Sequence, residues 1–284
     1  MKSFSFSLYF SWLVLCVPTA ALSAGVDVYF DKAKGYVSQQ EYKSAIIELK
    51  NVLQQEPRHA EARFLLGKAY IELGDGASAE KELRKALEFG VDAEKGMPLL
   101  GRAYLMQGKS REALAEVKLA DSASVEARAK VLVVHGDAQL FQQSIEDAAK
   151  AYRSALQLVP DFSGALLGMA KLAINSNNNA ESEKYVDQVL ADHADDVDAL
   201  ILKGELLRRQ AKHEEALDVF SRASKLRPQS PQALLGKAMA EVALQQFDVA
   251  EKDLAVILKL APQHPMANYF QAVIYFQRHE PAKA

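Results

Sequence analysis

The sequence of 284 residues has a single cysteine and no large excess of either charge. Its one cysteine, Cys16, excludes a framework of internal disulfides and any metal cluster held by several cysteines. Lysine and arginine number 34 against 37 aspartate and glutamate residues, which gives a formal net charge of −3. A chain so nearly neutral has no global electrostatic attraction to nucleic acid.

Motifs that carry catalytic chemistry are missing as well. No G-x-S-x-G sequence marks a hydrolase nucleophile, and the 14 glycines are spread along the chain instead of forming a phosphate-binding loop. The six histidines include no pair spaced i, i+4, and the sequence HEEAL at His213 lacks the second histidine of a zinc-protease helix. We therefore expect a protein that is not an enzyme and that needs no cofactor or resident metal.

One acidic run, DHADDVD at 192–198, is the densest group of carboxylates in the chain. Oxygen ligands at alternate positions suit Ca²⁺, but the run lacks the glycine and the distal glutamate of an EF-hand loop. Glu205, on the next predicted helix, does not complete a site. We interpret the run as a polar loop between two structural units.

The first 24 residues differ in character from the rest. Lys2 provides a basic start, FSWLVLCV at 10–17 is apolar, and ALSA at 21–24 offers small residues before Gly25. This pattern predicts a secretory signal peptide over 1–24. Cleavage after Ala21 and retention as an uncleaved anchor are the alternatives. Removal of the peptide takes Cys16 away, and a mature chain without thiols suits an oxidising compartment.

From Val26 onward the chain repeats itself. GKAYIELGDGASAEKELRKAL at 67–87 returns as GRAYLMQGKSREALAEVKLA at 101–120, and the pattern continues in steps of 34 residues with one step of 35. Each unit has two stretches with apolar residues at i, i+3, i+4 and i+7, which predicts two helices separated by a short break. The predicted units begin at Val26, Ala60, Glu94, Ala129, Ser163, Val197, Pro231 and Pro265.

At three positions of the unit the side chains have a similar size in every repeat. Positions eight and twenty are small, as at Gly67 and Ala79, so the two helices can approach closely. Position twenty-four is large and is expected to fill the space between neighbouring helix pairs. Proline ends the second helix of four units, as at Pro57. The residues at position twenty-four are Leu49, Leu83, Val117, Tyr152, Val186, Phe220 and Leu254.

A 34-residue helix–turn–helix unit with this pattern resembles the tetratricopeptide repeat. The resemblance implies an all-α fold over 25–284, a right-handed superhelical solenoid of about seven full repeats plus a partial eighth. Because one unit cannot bury its apolar face alone, stability would arise from stacking between neighbours. The eighth unit holds a first helix and only the beginning of a second. It is either an imperfect cap or part of a longer array.

The same resemblance implies a binding surface. In such a stack the first helices line the concave face, and their positions two, five, nine and twelve point into it. Cations at position nine beside apolar residues at five and twelve predict a groove for a protein or peptide segment with acidic and apolar residues. Ordinary solvated charge is the alternative reading of the cations. The predicted groove residues are Lys34, Phe64, Lys68, Ile71, Arg102, Leu105, Val133, Leu140, Leu167, Lys171, Ile201, Leu235 and Tyr269.

A closer resemblance lies in the first two units, at 42–94, and in HPMANYFQAVIYFQ at 264–277. These segments look like the N-terminal part of a bacterial tetratricopeptide-repeat lipoprotein family tied to the exosortase/PEP-CTERM sorting system. That resemblance implies an exported, periplasmic and membrane-associated scaffold that serves surface-protein sorting or exopolysaccharide export. The chain departs from the family in its shorter length and at Cys16, where Leu15 stands in place of the small residue that lipidation requires.

Three hypotheses follow for the function. The first is an exported scaffold that binds protein segments in its groove. The second is a structural subunit of an envelope export complex that associates through the edges of its repeats. The third is an enzyme with a site that no known motif reveals.

Overall fold

The computed structural model describes residues 19–228 and 230–278, with side chains from Gly25 onward except that of Leu260. Within these ranges the chain forms 15 α-helices and no strand. The odd-numbered helices are the first helices of successive repeats. They are α1 Thr19–Ser38, α3 Ala60–Glu72, α5 Ala93–Met106, α7 Val125–Phe141, α9 Ser163–Asn175, α11 Val197–Arg209, α13 Pro231–Ala243 and α15 Pro265–Gln277.

The even-numbered helices are the second helices of the repeats. Each helix packs against the next one in the chain, and each first helix also packs against the first helix of the following repeat. This order of contacts is that of a solenoid, so the predicted all-α solenoid of helix pairs is confirmed. The second helices are α2 Tyr42–Gln55, α4 Gly76–Glu88, α6 Ser110–Glu116, α8 Ile145–Leu158, α10 Asn179–Asp192, α12 His213–Leu226 and α14 Phe247–Leu260.

The predicted signal peptide lies almost wholly outside the described residues, and so does Cys16. Only the backbone of 19–24 is described, as the start of α1, which continues past the expected cleavage point before Gly25. In the described part of the chain no helix is both long enough and apolar enough to cross a membrane.

Five first helices begin at the residue where their unit was predicted to begin: α3, α9, α11, α13 and α15. The fourth unit differs, because α7 begins at Val125, four residues before Ala129. Ser124 sets this earlier start, since its Oγ accepts a hydrogen bond from the N–H of Ala127 at 3.3 Å. Such a cap satisfies a donor that the first turn of a helix otherwise leaves unpaired.

The second helix of the third repeat is much shorter than the sequence pattern suggests. α6 covers 7 residues and ends before Val117, whose side chain is buried. The carbonyl of Val117 lies 2.8 Å from Nε2 of His135 on α7, which donates to it. Residues 117–124 then run without helix to the cap of α7. A side chain of the next repeat thus takes the place of the missing turn as a partner for this carbonyl.

The core follows the predicted sizes at position twenty-four. The ring of Tyr152 is fully buried between Gly136 and Gly168, where an added Cβ would lie 2.5 and 2.4 Å from its Cε1. Phe220 is held in the same way between Gly204 and Gly236. Glycine on both sides is therefore what makes room for an aromatic ring between repeats.

The turn between the two helices of a repeat has one recurring geometry. The residue at position fifteen of each complete unit has a positive φ, between 57° and 81°. This left-handed conformation is comfortable for glycine and costly for residues with a Cβ. The residues in question are Gln40, Gly74, Gly108, Gln143, Asn177, Ala211 and Gln245.

Candidate concave binding site

All thirteen predicted groove residues lie on first helices, but they differ in accessibility. The four cations are exposed, and so is Tyr269 of α15, with 59% of its surface accessible. The remaining residues are half-buried or buried. Solvent therefore reaches the predicted groove mainly at the cations and at the C-terminal end.

Two of the predicted groove residues belong to the core, which corrects the prediction. Ile71 is 3% exposed and lies in a buried cluster with Leu83 and Leu100. Leu167 is 6% exposed and lies in another cluster with Val186. Both are buried because neighbouring first helices pack against each other. Neither side chain is available to a ligand.

The half-buried apolar residues also contribute to the packing. Phe64 and Leu105 pack against the cluster that contains Ile71, and Leu235 packs against a cluster near the C-terminal end. Val133, Leu140 and Ile201 pack against clusters of the intervening repeats. The apolar part of the predicted groove is thus a series of partly accessible side chains rather than a continuous exposed strip.

Three of the four predicted cations already face carboxylates. Nζ of Lys34 lies 2.7 Å from Oδ1 of Asp31 and 4.9 Å from the ring centre of Phe30. Nη1 of Arg102 lies 3.7 Å from Oε1 of Glu72, and Nζ of Lys171 lies 3.6 Å from Oδ1 of Asp137. Lys68 has no ion-pair partner in the described part of the chain.

A cleft of about 440 Å³ lies between α3, α5 and α7. We call it the lysine cleft. Two predicted residues, Phe64 and Lys68, contribute to it. Among the other lining residues, Lys95 and Lys130 stand at position two and Pro98 at position five, which were expected to face the groove, whereas Leu99 and Ala127 stand at none of the expected positions. The basic and apolar lining consists of Phe64, Lys68, Lys95, Pro98, Leu99, Ala127 and Lys130.

Acidic residues at the edge of the lysine cleft serve as caps and tethers. Asp92 accepts a hydrogen bond from the N–H of Glu94 at 2.9 Å and so caps α5. The Glu94 carboxylate accepts from the N–H and Oγ of Ser124 at 3.0 and 2.5 Å. These bonds hold the loop before α7 against the start of α5. The carboxylates are therefore engaged by the protein's own donors.

The concave face of the last repeats is apolar and more open. Tyr269 is 59% exposed, Phe276 is 69% exposed, and Met266 is exposed on the same helix. The rings of Tyr269 and Phe270 meet edge to face with centres 5.2 Å apart. These exposed side chains make the C-terminal end of the predicted groove apolar.

The acidic run at 192–198 forms a polar loop between repeats. Asp195 pairs with Arg222 at 2.7 Å, and Asp198 lies 3.2 Å from Arg227. Asp196 caps α11 by accepting from the N–H of Ala199 at 2.9 Å. Among the described residues no group of three or more His, Cys, Asp and Glu side chains is placed to hold a metal ion.

A buried charge cluster lies between α13 and α14. Nζ of Lys237 lies 2.7 Å from Asp253 and 3.4 Å from Glu241, whose side chain is almost fully buried. Oε2 of Glu241 has no hydrogen-bond partner there. Burial, and secondly the charge of Asp253, raise the pKa of the Glu241 carboxyl to about 7. One ammonium group thus faces two carboxylates in a site with little water.

Family models match most of the sequence that forms these repeated helix pairs. Models described as tetratricopeptide repeat match residues 36–95, 167–231 and 235–284, which together are more than half of the chain. The chain is a tetratricopeptide repeat protein. Repeats of this type are generally protein-interaction modules, and the chain has the architecture of an interaction scaffold.

Curated relatives of this tetratricopeptide repeat protein match part of its length. It is 30% identical over 122 residues to anaphase-promoting complex subunit 7 of Arabidopsis thaliana, covering 42% of this chain and 22% of the relative. It is 23% identical over 172 residues to the human protein O-mannosyl-transferase TMTC1, covering 54% and 19%. The chain thus spans about a fifth of the length of these relatives. Their activities are therefore not assigned to it.

Solved structures agree on the fold. The Cut9 and Hcn1 hetero-tetramer of the APC/C matches with a TM-score of 0.58 at 14% identity, over 93% of this chain and 52% of that one. A structure of PilF from Pseudomonas aeruginosa matches with a TM-score of 0.44 at 18% identity, over 89% and 99%. Because the identity is low, the match to the Cut9 and Hcn1 structure shows only that the fold is shared. The lower TM-score of the PilF match supports no conclusion about this chain.

Proposed function

We propose that this tetratricopeptide repeat protein is a non-catalytic scaffold that holds a protein or peptide segment in its concave groove. The observation that carries the proposal is the lysine cleft, where exposed cations stand beside half-buried apolar side chains on three successive first helices. A surface of this kind offers both apolar contact and charge steering. The apolar residues exposed on α15 extend the surface toward the C-terminal end.

We also propose that the scaffold is exported and works at the cell envelope, in protein sorting or exopolysaccharide export. Two sequence features support this: the signal-like pattern over 1–24, and the resemblance of 42–94 and 264–277 to the exosortase-associated repeat family. Mass spectrometry of the protein from the periplasm of the producing cell should find a mature N-terminus at Gly25. Full-length protein in the cytosolic fraction would contradict export.

The alternative is a structural subunit that associates through the edges of its repeats. Val249 and Val256, seven residues apart on one face of α14, are both exposed and favour it. Residues at this spacing lie on the same face of a helix, and here Lys252 and Asp253 lie between them on that face. A face with both apolar and charged residues would suit packing against another subunit.

Site-specific photo-crosslinking in the producing cell distinguishes the two. A photoreactive amino acid would replace Phe64 or Tyr269 in the concave face, Val256 at the edge, or Lys150 on α8 as a control. Groove binding predicts one protein crosslinked from both concave positions and from neither of the others. Crosslinks from Val256 alone would contradict groove binding and favour the structural subunit.

A further inference from the structure

The three lysines of the lysine cleft differ from the other groove cations because they form no ion pair within the part of the chain that the structure describes. Lys68, Lys95 and Lys130 are exposed, and none makes an ion pair with any other described residue. The other predicted cations, on α1, α5 and α9, each lie within 3.7 Å of a carboxylate. Among these groove cations, the ones without a carboxylate partner therefore lie in this cleft, whose lining also includes Asp92, Glu94 and Glu126.

The carboxylates of the lysine cleft do not cancel this charge by direct contact. Asp92 and Glu94 accept hydrogen bonds from backbone and hydroxyl donors, as described above. Glu126 lies in the first turn of α7, where the partial positive charge of the helix start favours a carboxylate. Asp92 and Glu126 thus interact with the starts of their own helices and Glu94 with the start of α7, and none of the three forms an ion pair with a lysine of the cleft among the described residues.

The apolar side chains between the lysines have a shape that suits a flat partner. Phe64 offers part of an aromatic ring, and Pro98 offers a rigid ring in the middle of α5. Both are half-buried, so an incoming aromatic side chain would cover the apolar surface that solvent still reaches. The lysine cleft can therefore accept an apolar residue between flanking charges.

The arrangement over three repeats sets the length of the ligand. Lys68, Lys95 and Lys130 lie on α3, α5 and α7, and packed helices are typically about 8–10 Å apart. A segment that contacts all three must span roughly 16–20 Å, which is about six residues in extended form. A single small anion cannot meet all three lysines at once.

We infer that the lysine cleft binds an extended acidic peptide segment through its side-chain carboxylates, with one aromatic residue of the segment packed on Phe64 and Pro98. This inference rests on the proposed function and specifies the ligand of the groove. The lysine–asparagine pattern that clamps a terminal carboxylate is absent from these repeats. Recognition accordingly falls on carboxylates within the segment and not on a free chain end.

Fluorescence anisotropy with defined peptides tests the inference. The probe is a labelled heptapeptide, Glu-Asp-Glu-Phe-Glu-Asp-Glu, blocked at both ends so that it has no terminal carboxylate. Its matched control replaces every acid by the corresponding amide. The triple variant Lys68→Gln, Lys95→Gln, Lys130→Gln should weaken binding of the acidic peptide about tenfold, as expected for three exposed charge pairs of roughly 0.5 kcal/mol each. The difference should shrink in high salt.

A second triple variant separates the lysine cleft from net charge. Lys150→Gln, Lys184→Gln, Lys225→Gln removes the same charge from exposed positions on the second helices α8, α10 and α12 and should leave the affinity unchanged. Circular dichroism and thermal unfolding of both variants check that the fold is retained.

Three results would overturn the inference. One is equal affinity of the two triple variants, another is equal affinity of the acidic and amide peptides, and the third is no binding of the acidic peptide to the unaltered protein. None of these results overturns the proposed function, because the photo-crosslinking from Phe64 and Tyr269 tests groove binding without assuming an acidic ligand. Loss of those concave crosslinks would refute the proposed function whatever the peptides do.

Discussion

At the scale of single residues, the contact between repeats depends on glycines, whose lack of a side chain leaves room for a large neighbour. A Cβ added to Gly168 would lie 2.4 Å from Cε1 of the buried Tyr152 ring, so Gly168→Ala should overpack this contact. We expect a loss of about 1–3 kcal/mol in the free energy of unfolding, measured by urea denaturation. Gly35→Ala on α1 is the control, since nothing lies within 4 Å of its added Cβ. That substitution should stabilise by about 0.5–1 kcal/mol, and equal gains at both sites would refute the steric argument.

A second residue-scale prediction concerns the buried carboxyl of Glu241, whose pKa is raised from 4.5 to about 7. Between these values the folded protein holds a proton that the unfolded chain releases. The contribution of Glu241 to stability therefore falls as the pH rises from about 4.5 to about 7 and stays at its unfavourable value above that. Glu241→Gln removes the charge that is costly to bury, so it should raise Tm at pH 8 and change it little at pH 5.

Thermal unfolding of both proteins at the two pH values measures the effect. Lys237→Gln provides a contrast, because it removes the one ammonium group that faces Glu241 and Asp253. It should lower Tm most at pH 8, where both carboxylates are charged. An identical Tm shift at pH 5 and pH 8 for Glu241→Gln would show that the carboxyl does not titrate in this window.

At the scale of helices and turns, the left-handed residue between paired helices is the recurrent source of strain. Ala211 adopts φ of 58° there, although its Cβ disfavours that conformation. Ala211→Gly should increase the free energy of unfolding by about 1 kcal/mol. The reverse change at the equivalent turn, Gly74→Ala, should lower it by a similar amount, because φ is 81° and no neighbour is close to the added Cβ. Chemical denaturation checks both, and equal signs would contradict the assignment of strain to this turn position.

The elements of this fold were largely predictable because most of their signals are local. Apolar spacing and small residues predicted the first helices, and α9 and α13 begin at the expected residues. The early start of α7 and the short α6 were not predicted. The start of α7 follows from the cap at Ser124, which the unit pattern does not include, and the contacts of Ser124 with Glu94 and of His135 with Val117 join residues 30 and 18 positions apart. Such contacts between repeats leave no mark in the pattern of a single unit.

The candidate site was less predictable for the same reason. Position within the unit predicted that Lys68 faces the groove, but it could not show that Arg102 and Lys171 pair with carboxylates of the preceding repeat while Lys68 pairs with none of the described residues. It could not show either that Ile71 is covered by neighbouring helices. The ion pairs of Arg102 and Lys171 and the burial of Ile71 depend on the side chains of adjacent repeats, so they follow from the stacked structure and not from the repeat pattern.

At the scale of the whole molecule, contacts between adjacent repeats imply that stability is distributed along the array. Each described helix packs only against helices near it in the chain, so a disturbance should weaken its own neighbourhood first. Phe220→Ala empties a buried site between α11 and α13, and large-to-small changes of this kind cost about 3–5 kcal/mol. Hydrogen exchange should then accelerate strongly in α11–α13 and little in α1–α4.

The N-terminal repeats carry the internal control for this prediction, because Leu83→Ala empties the corresponding position between α3 and α5. It should accelerate exchange in α3–α5 and spare α13–α15. If either substitution accelerates exchange equally in all helices, the array unfolds as one cooperative unit. The local outcome would have a consequence for binding: the lysine cleft, formed by α3, α5 and α7, would keep its peptide affinity in the Phe220→Ala protein and lose it in the Leu83→Ala protein.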